Sequence, residues 1–125
     1  VIVLDASALL ALLLKEKGAG RVQAELRNSV ISAATLAEVL TKGLKRGVPP
    51  GEAYPAIVEW GVQIVAVDTA QARIAAELAR APKELDLSLG DRLCIALAIV
   101  RGCELMTSDG GILRLEADVS FKKFR

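Results

Sequence analysis

Residues 1–14 read VIVLDASALLALLL. The first four positions are apolar, Asp5 interrupts them, and the alanine- and leucine-rich run behind it has helix-forming composition. A short buried strand that hands over to a helix through one acidic residue is the opening of an alternating α/β chain. Working outward, the handover recurs. SVIS (29–32) precedes a helical segment, 33–46, with Leu36, Val39, Leu40 and Leu44 at helical spacing. VQIVAV (62–67) reads as a buried strand ahead of a helix over 69–80, and CELMT (103–107) precedes a short turn or helix near 110–115. The first helix is expected over 6–16, ended by Gly18 and Gly20, and a second, amphipathic through Val22 and Leu26, over 20–28. Gly47 and Pro49–Pro50 stop the third, and 51–61 is helical with Pro55 tolerable only near its first turn. A polar loop (82–90) leads into a helix over 89–101 that is apolar on every face from Leu93 to Val100, so it belongs at the centre. DVSF (118–121) reads as an edge strand.

The order β-α-α-β-α-α-β-α-α-β-α-β implies a three-layer α/β/α fold with a central, mainly parallel sheet of four to five strands. With 125 residues and no repeat or linker, one domain over 1–125 is expected. Hydrophobic residues make up 53% of the chain, which excludes disorder, and aromatics only 3%, which argues against binding single strands on aromatic platforms. Net charge is +1, so any contact with nucleic acid needs a local basic patch. No apolar stretch reaches the roughly 18–20 residues of a membrane span, and the cytosol is the expected location. Cys94 and Cys103 lie in apolar segments as ordinary buried thiols.

The chain has no histidine, and acids follow or open its apolar runs: Asp5, Glu38, Asp91 and Asp109. Converging at strand ends, such carboxylates form an oxygen-ligand site for a hard divalent cation, Mg²⁺ or Mn²⁺, and point to phosphodiester chemistry. Each acid also has a purely structural reading. Asp5 and Asp109 are placed to cap helices, and Ser88 with Asp91 matches a capping box. Glu38 lies away from the apolar face of its helix, four residues before Lys42, where an ion pair explains it. Asp68 also ends an apolar run, so spacing proposes five acids and does not choose four.

The segments VIVLDASALLALLL, ISAATLAEVL, LSLGDRLCIALA and LMTSD, in this order and at these separations, resemble the PIN-domain family, and within it the VapC toxins of VapBC toxin–antitoxin pairs. The resemblance covers nearly the whole chain. It implies a PIN-like fold, matches Asp5, Glu38, Asp91 and Asp109 to the family's acidic quartet, and leaves Asp68 out. Ser7 matches the serine of D-x-S and Thr107 the threonine of T-x-D, hydroxyls that hold either the carboxylates or metal-bound water. One departure stands out: Gly110-Gly111-Ile112 follows Asp109, without the basic or aromatic residue many relatives place there.

The resemblance implies a metal-dependent endoribonuclease. Asp5 and Asp91 are the first choices as direct Mg²⁺ or Mn²⁺ ligands, Asp109 a ligand or second-metal partner, and Glu38 a further member of the metal set that orients or deprotonates water. The absence of histidine closes the metal-free acid–base route of many ribonucleases. Lys42, Lys45, Arg46 and Arg92 are candidate phosphate contacts, each also explicable as solvated helix-surface charge. A homodimer and a VapB-like antitoxin are the implied partners, with the leucine-rich first helix either covered by a partner or packed in the core. The alternative from another class is a non-catalytic receiver-like module with an acidic metal pocket, in which Asp5 or Asp68 accepts a phosphoryl group.

Overall fold

A computed structural model describes residues 1–125. Its five strands are β1 (Ile2–Leu4), β2 (Ser29–Ser32), β3 (Gln63–Val65), β4 (Glu104–Thr107) and β5 (Phe121–Lys123), and they lie side by side in the order β3-β2-β1-β4-β5. All four pairings are parallel, with Val3 opposite both Val30 and Leu105. Seven α-helices connect and cover them: α1 (Ala6–Leu13), α2 (Ala19–Gln23), α3 (Ala33–Lys45), α4 (Pro50–Glu59), α5 (Thr69–Glu77), α6 (Leu89–Arg101) and α7 (Gly110–Leu113). None is long and apolar enough to cross a membrane.

Strand periodicity divides the core in two. Ile2, Leu4, Ile31 and Met106 point to one face, where Leu9, Val22, Val39 and Ile57 meet them. Val3, Val30 and Leu105 point to the other, against Ile95, Leu97 and Ile112. Both faces are covered, which is why the strands read as unbroken apolar runs rather than alternating ones. The α6 helix sits centrally, as its composition implies, with Cys94 to Ala98 all buried. The first helix serves the core as well: Ala8, Leu9 and Ala11 are buried there.

Several boundaries differ from expectation for local reasons. The α1 helix stops at Leu13, because Lys15 turns into the left-handed region (φ 54°) before Gly18 is reached. The segment 20–28 divides into α2 and a 3₁₀ turn over Leu26–Asn28. Pro55 lies inside α4 rather than in its first turn, which Pro50 occupies. The carbonyl that loses its donor belongs to Gly51, an exposed residue, so the missing bond does not leave a buried polar group. VQIVAV is not a buried strand: β3 is an edge, with Gln63 exposed and Ile64 and Val65 half-buried. The other edge strand begins at Phe121 instead of Asp118, because pairing with β4 starts where Leu105 N donates to Ser120 O (2.9 Å).

From β1 the chain builds outward to β2 and β3, then returns to place β4 and β5 on the opposite side. The connections therefore diverge at the carboxyl ends of β1 and β4. That divergence opens a crevice, the usual binding place in an open α/β sheet.

Candidate active site

Asp5 follows β1 directly and caps α1. Its Oδ1 accepts from Ala8 N (3.0 Å) and Ser7 Oγ (2.6 Å), and its Oδ2 accepts from the Thr107 hydroxyl. The two hydroxyls are themselves oriented. Ser7 Oγ accepts from Ser108 N (3.0 Å) and Thr107 Oγ1 from Asp109 N (2.9 Å). Two short donor chains thus lock the β1–α1 turn to the β4–α7 turn, and the resemblance's supporting Ser7 and Thr107 both hold Asp5. With only 4% of its surface exposed, Asp5 has its pKa raised to about 6 by burial. The bonds from Ser7, Thr107 and Ala8 pull it down and the charge of Asp91 pushes it further up.

Asp91 and Ser88 form the expected capping box of α6: Ser88 N donates to Asp91 Oδ2 (2.9 Å), and Asp91 N donates to Ser88 Oγ (3.0 Å). Burial raises its pKa, the Ser88 bonds lower it, and Asp109 raises it again. Asp109 caps α7 through Oδ1, which accepts from Ile112 N (2.9 Å). Capping and site-building are compatible here because each cap occupies one carboxylate oxygen. The other oxygens of Asp91 and Asp109 have no protein donor.

Glu38 does make the i,i+4 ion pair with Lys42, at 3.5 Å, yet it also faces the crevice. Its carboxylate rests against Gly90 in the first turn of α6, where a Cβ would collide with it. Burial raises its pKa, Lys42 lowers it, and Asp91 raises it. The helical periodicity of α3 gives no sign of this, because the neighbour that turns Glu38 inward is a missing side chain on another helix.

The four acids line one cavity of about 400 Å³, with Ser7 beside them and Lys42, Lys45 and Arg46 along one rim. Ala6, Leu10, Leu14, Glu16 and Arg125 complete the lining and were not foreseen. Leu10 and Leu14 carry a readable signal, a four-residue repeat on the helix that Asp5 caps. Arg125 carries none: β5 brings it there, where Nη1 lies 3.2 Å from Glu16 Oε1. Two candidates lie outside. Arg92 donates from Nη1 to Ala75 O (2.9 Å), tying α6 to α5, and Asp68 caps α5 by accepting from Gln71 N (2.9 Å).

No three of the carboxylates stand close enough to make a closed coordination sphere unaided. The donor set is nevertheless all oxygen, and Asp91, Asp109 and Glu38 each present an oxygen without a backbone donor. That chemistry suits a hard cation such as Mg²⁺, which keeps several waters in its shell.

A parallel sheet with acids at its divergence point defines the class. The PIN domain family matches residues 2–117, and this chain belongs to that family. Its fold is similar to the DNA-bound VapBC of Salmonella typhimurium, at 20% identity and a TM-score of 0.75, over 99% of this chain and 98% of that one. A toxin–antitoxin complex from Klebsiella pneumoniae is similar at 20% identity and 0.74, over 95% of both chains. The sarcin–ricin loop cleaving toxin VapC20 of Mycobacterium tuberculosis is similar at 18% identity and 0.67, over 83% of this chain and 85% of that one. No curated protein matches the chain.

Proposed function

We propose that this chain is a divalent-cation-dependent endoribonuclease, the toxin of a toxin–antitoxin pair, acting as one domain over residues 1–125. The observation that carries the reading is the cavity: four carboxylates delivered by four different elements, beside a rim of three basic side chains. Toxins and toxin–antitoxin complexes among its structural relatives support it, one of them described as cleaving the sarcin–ricin loop.

Lys42, Lys45 and Arg46 draw the RNA backbone to the rim, a contact that weakens with salt. Asp91 and Asp109, each with one oxygen free of the backbone, hold the cation, and Asp5 completes the site from behind. A bound Mg²⁺ or Mn²⁺ supplies positive charge for the phosphoryl oxygens and a more acidic water. Glu38, half-buried beside Lys42, accepts the proton of the attacking water. Ser7 and Thr107 keep both oxygens of Asp5 fixed, so the site reacts without first reorganising. The receiver-like alternative finds no support in this arrangement. Asp5 is buried with both oxygens engaged, and Asp68 stands outside the cavity.

The test is cleavage of RNA by the wild type with Mg²⁺ or Mn²⁺, its loss with chelator, and its loss in folded Asp5→Asn and Asp91→Asn proteins. Undiminished cleavage by either variant overturns the assignment. A VapB-like antitoxin, a homodimer and a cytoplasmic location belong to the same reading. Tyr54 and Val58 stand exposed four residues apart on α4, an apolar surface suited to a second copy. Light scattering over a concentration series checks this, and a monomer throughout removes the dimer.

A further inference from the structure

A groove opens between α3 and α6 on the far side of Glu38. Its volume, about 390 Å³, is close to the 400 Å³ of the acidic cavity, and Glu38, Lys42 and Lys45 line both. Beyond that shared wall the lining changes character, to Ala34, Ala37 and Thr41 of α3 and Leu89 and Leu93 of α6. The α3 residues follow one another at helical spacing and so present one face. Leu89 is 59% exposed, although nothing in the core requires an apolar side chain there. Thr41 Oγ1 donates to Ala37 O (2.7 Å), which leaves its lone pairs free to accept. Gly90 lies in the groove as well, and its lack of a side chain is what lets the Glu38 carboxylate sit on the divide.

We propose that this groove is a base-binding subsite. It takes the nucleobase of the RNA nucleotide adjoining the bond placed over the acids, while Lys42 and Lys45 hold the phosphate between. The inference rests on the nuclease reading above. A nucleic-acid strand presents, at each step, an anionic phosphate and then a flat, largely apolar base. The surface presents the matching series: an acidic cavity suited to a cation, two lysines, and an aliphatic recess with one hydroxyl acceptor. No aromatic side chain lines the recess, so the base lies on aliphatic carbon and the contact is tolerant of base identity. Its contribution belongs at the lower end of what one base contact supplies.

The experiment uses a short fluorescent single-stranded RNA with a mapped cleavage site, and copies carrying one abasic nucleotide on either side of that bond. For the wild type, the abasic nucleotide on the groove side raises KM about five- to tenfold. Ala37→Leu, an exposed position where a larger side chain fills the recess, raises KM on the intact RNA by a similar factor. Made together, the two changes raise KM no further, because both remove one contact. Losses that multiply overturn the subsite, as does a change of molecular mass in Ala37→Leu by light scattering, which would assign the groove to a second copy. Binding to Asp5→Asn protein, with and without Ala37→Leu, of a second RNA set in which the abasic nucleotide is moved through every position needs no cleavage site and, read by fluorescence anisotropy, separates the two readings. Base- and Ala37-dependent binding without any wild-type cleavage removes the nuclease and keeps the subsite. Cleavage without that dependence removes the subsite alone.

Discussion

At the scale of single residues, Asp5 has the most distinctive prediction. Its carboxyl ionises near 3.8 when unfolded and near about 6 when folded, so the folded chain holds more protons between those values. Stability of the cation-free protein therefore falls as pH rises through that window. The deficit is complete above about pH 6 and amounts to roughly 3 kcal/mol. Denaturant titrations in chelator from pH 4 to 8 should show the decline, and Asp5→Asn should remove most of it. Glu38 and Asp91, raised in the same direction, leave the remainder. A pH-independent wild type would contradict the burial argument. The four basic candidates separate by the same kind of reasoning. Lys42→Ala, Lys45→Ala and Arg46→Ala should each lower the salt dependence of RNA binding by about 0.7 in slope. Arg92→Ala should leave that slope alone and reduce stability by about 1 kcal/mol, through loss of its bond to Ala75 O.

Between elements, two glycines make opposite predictions. Gly90→Ala puts a Cβ against the tip of a flexible glutamate, which moves aside. Helix α6 then gains up to about 1 kcal/mol from the better helix former, while displacement of Glu38 lowers cleavage on the order of 100-fold. Gly111→Ala puts a Cβ against the backbone carbonyl of Leu85, which cannot yield, and should destabilise by about 1–3 kcal/mol. Thermal melts and cleavage rates of the two variants check both. A Gly90→Ala protein with full activity would show that Glu38 does not need its present seat. These glycines also mark what was legible. Strand-to-helix handovers at Asp5 and Asp109, and the capping box at Ser88–Asp91, are local patterns and were readable with their caps. The inward turn of Glu38 depends on Gly90, 52 positions along the chain, and no local periodicity encodes it. The same holds for Gly110-Gly111-Ile112, where the departure from the family pattern leaves room for α7 to close against Leu85.

For the whole molecule, the alternation of apolar runs and helices was enough to assign a parallel three-layer fold. It did not disclose strand order, and the edge position of β3 explains why VQIVAV looked more buried than it is. Nor did it reveal that β1 separates β2 from β4, the arrangement that opens the cavity. Binding a cation to the folded state alone should raise the melting temperature in proportion to the logarithm of its concentration. Mn²⁺ titrations followed by thermal melts should show this for the wild type and lose most of it in Asp91→Asn. The sheet order has one more consequence, which concerns synthesis. Asp5 leaves the ribosome first, but the hydroxyl that holds its Oδ2 belongs to Thr107, 102 residues later. Until β4 slots in beside β1, the nascent chain has neither that hydroxyl nor Asp109 in place. The carboxylates of this site therefore come together only once β4 has been made and has paired with β1.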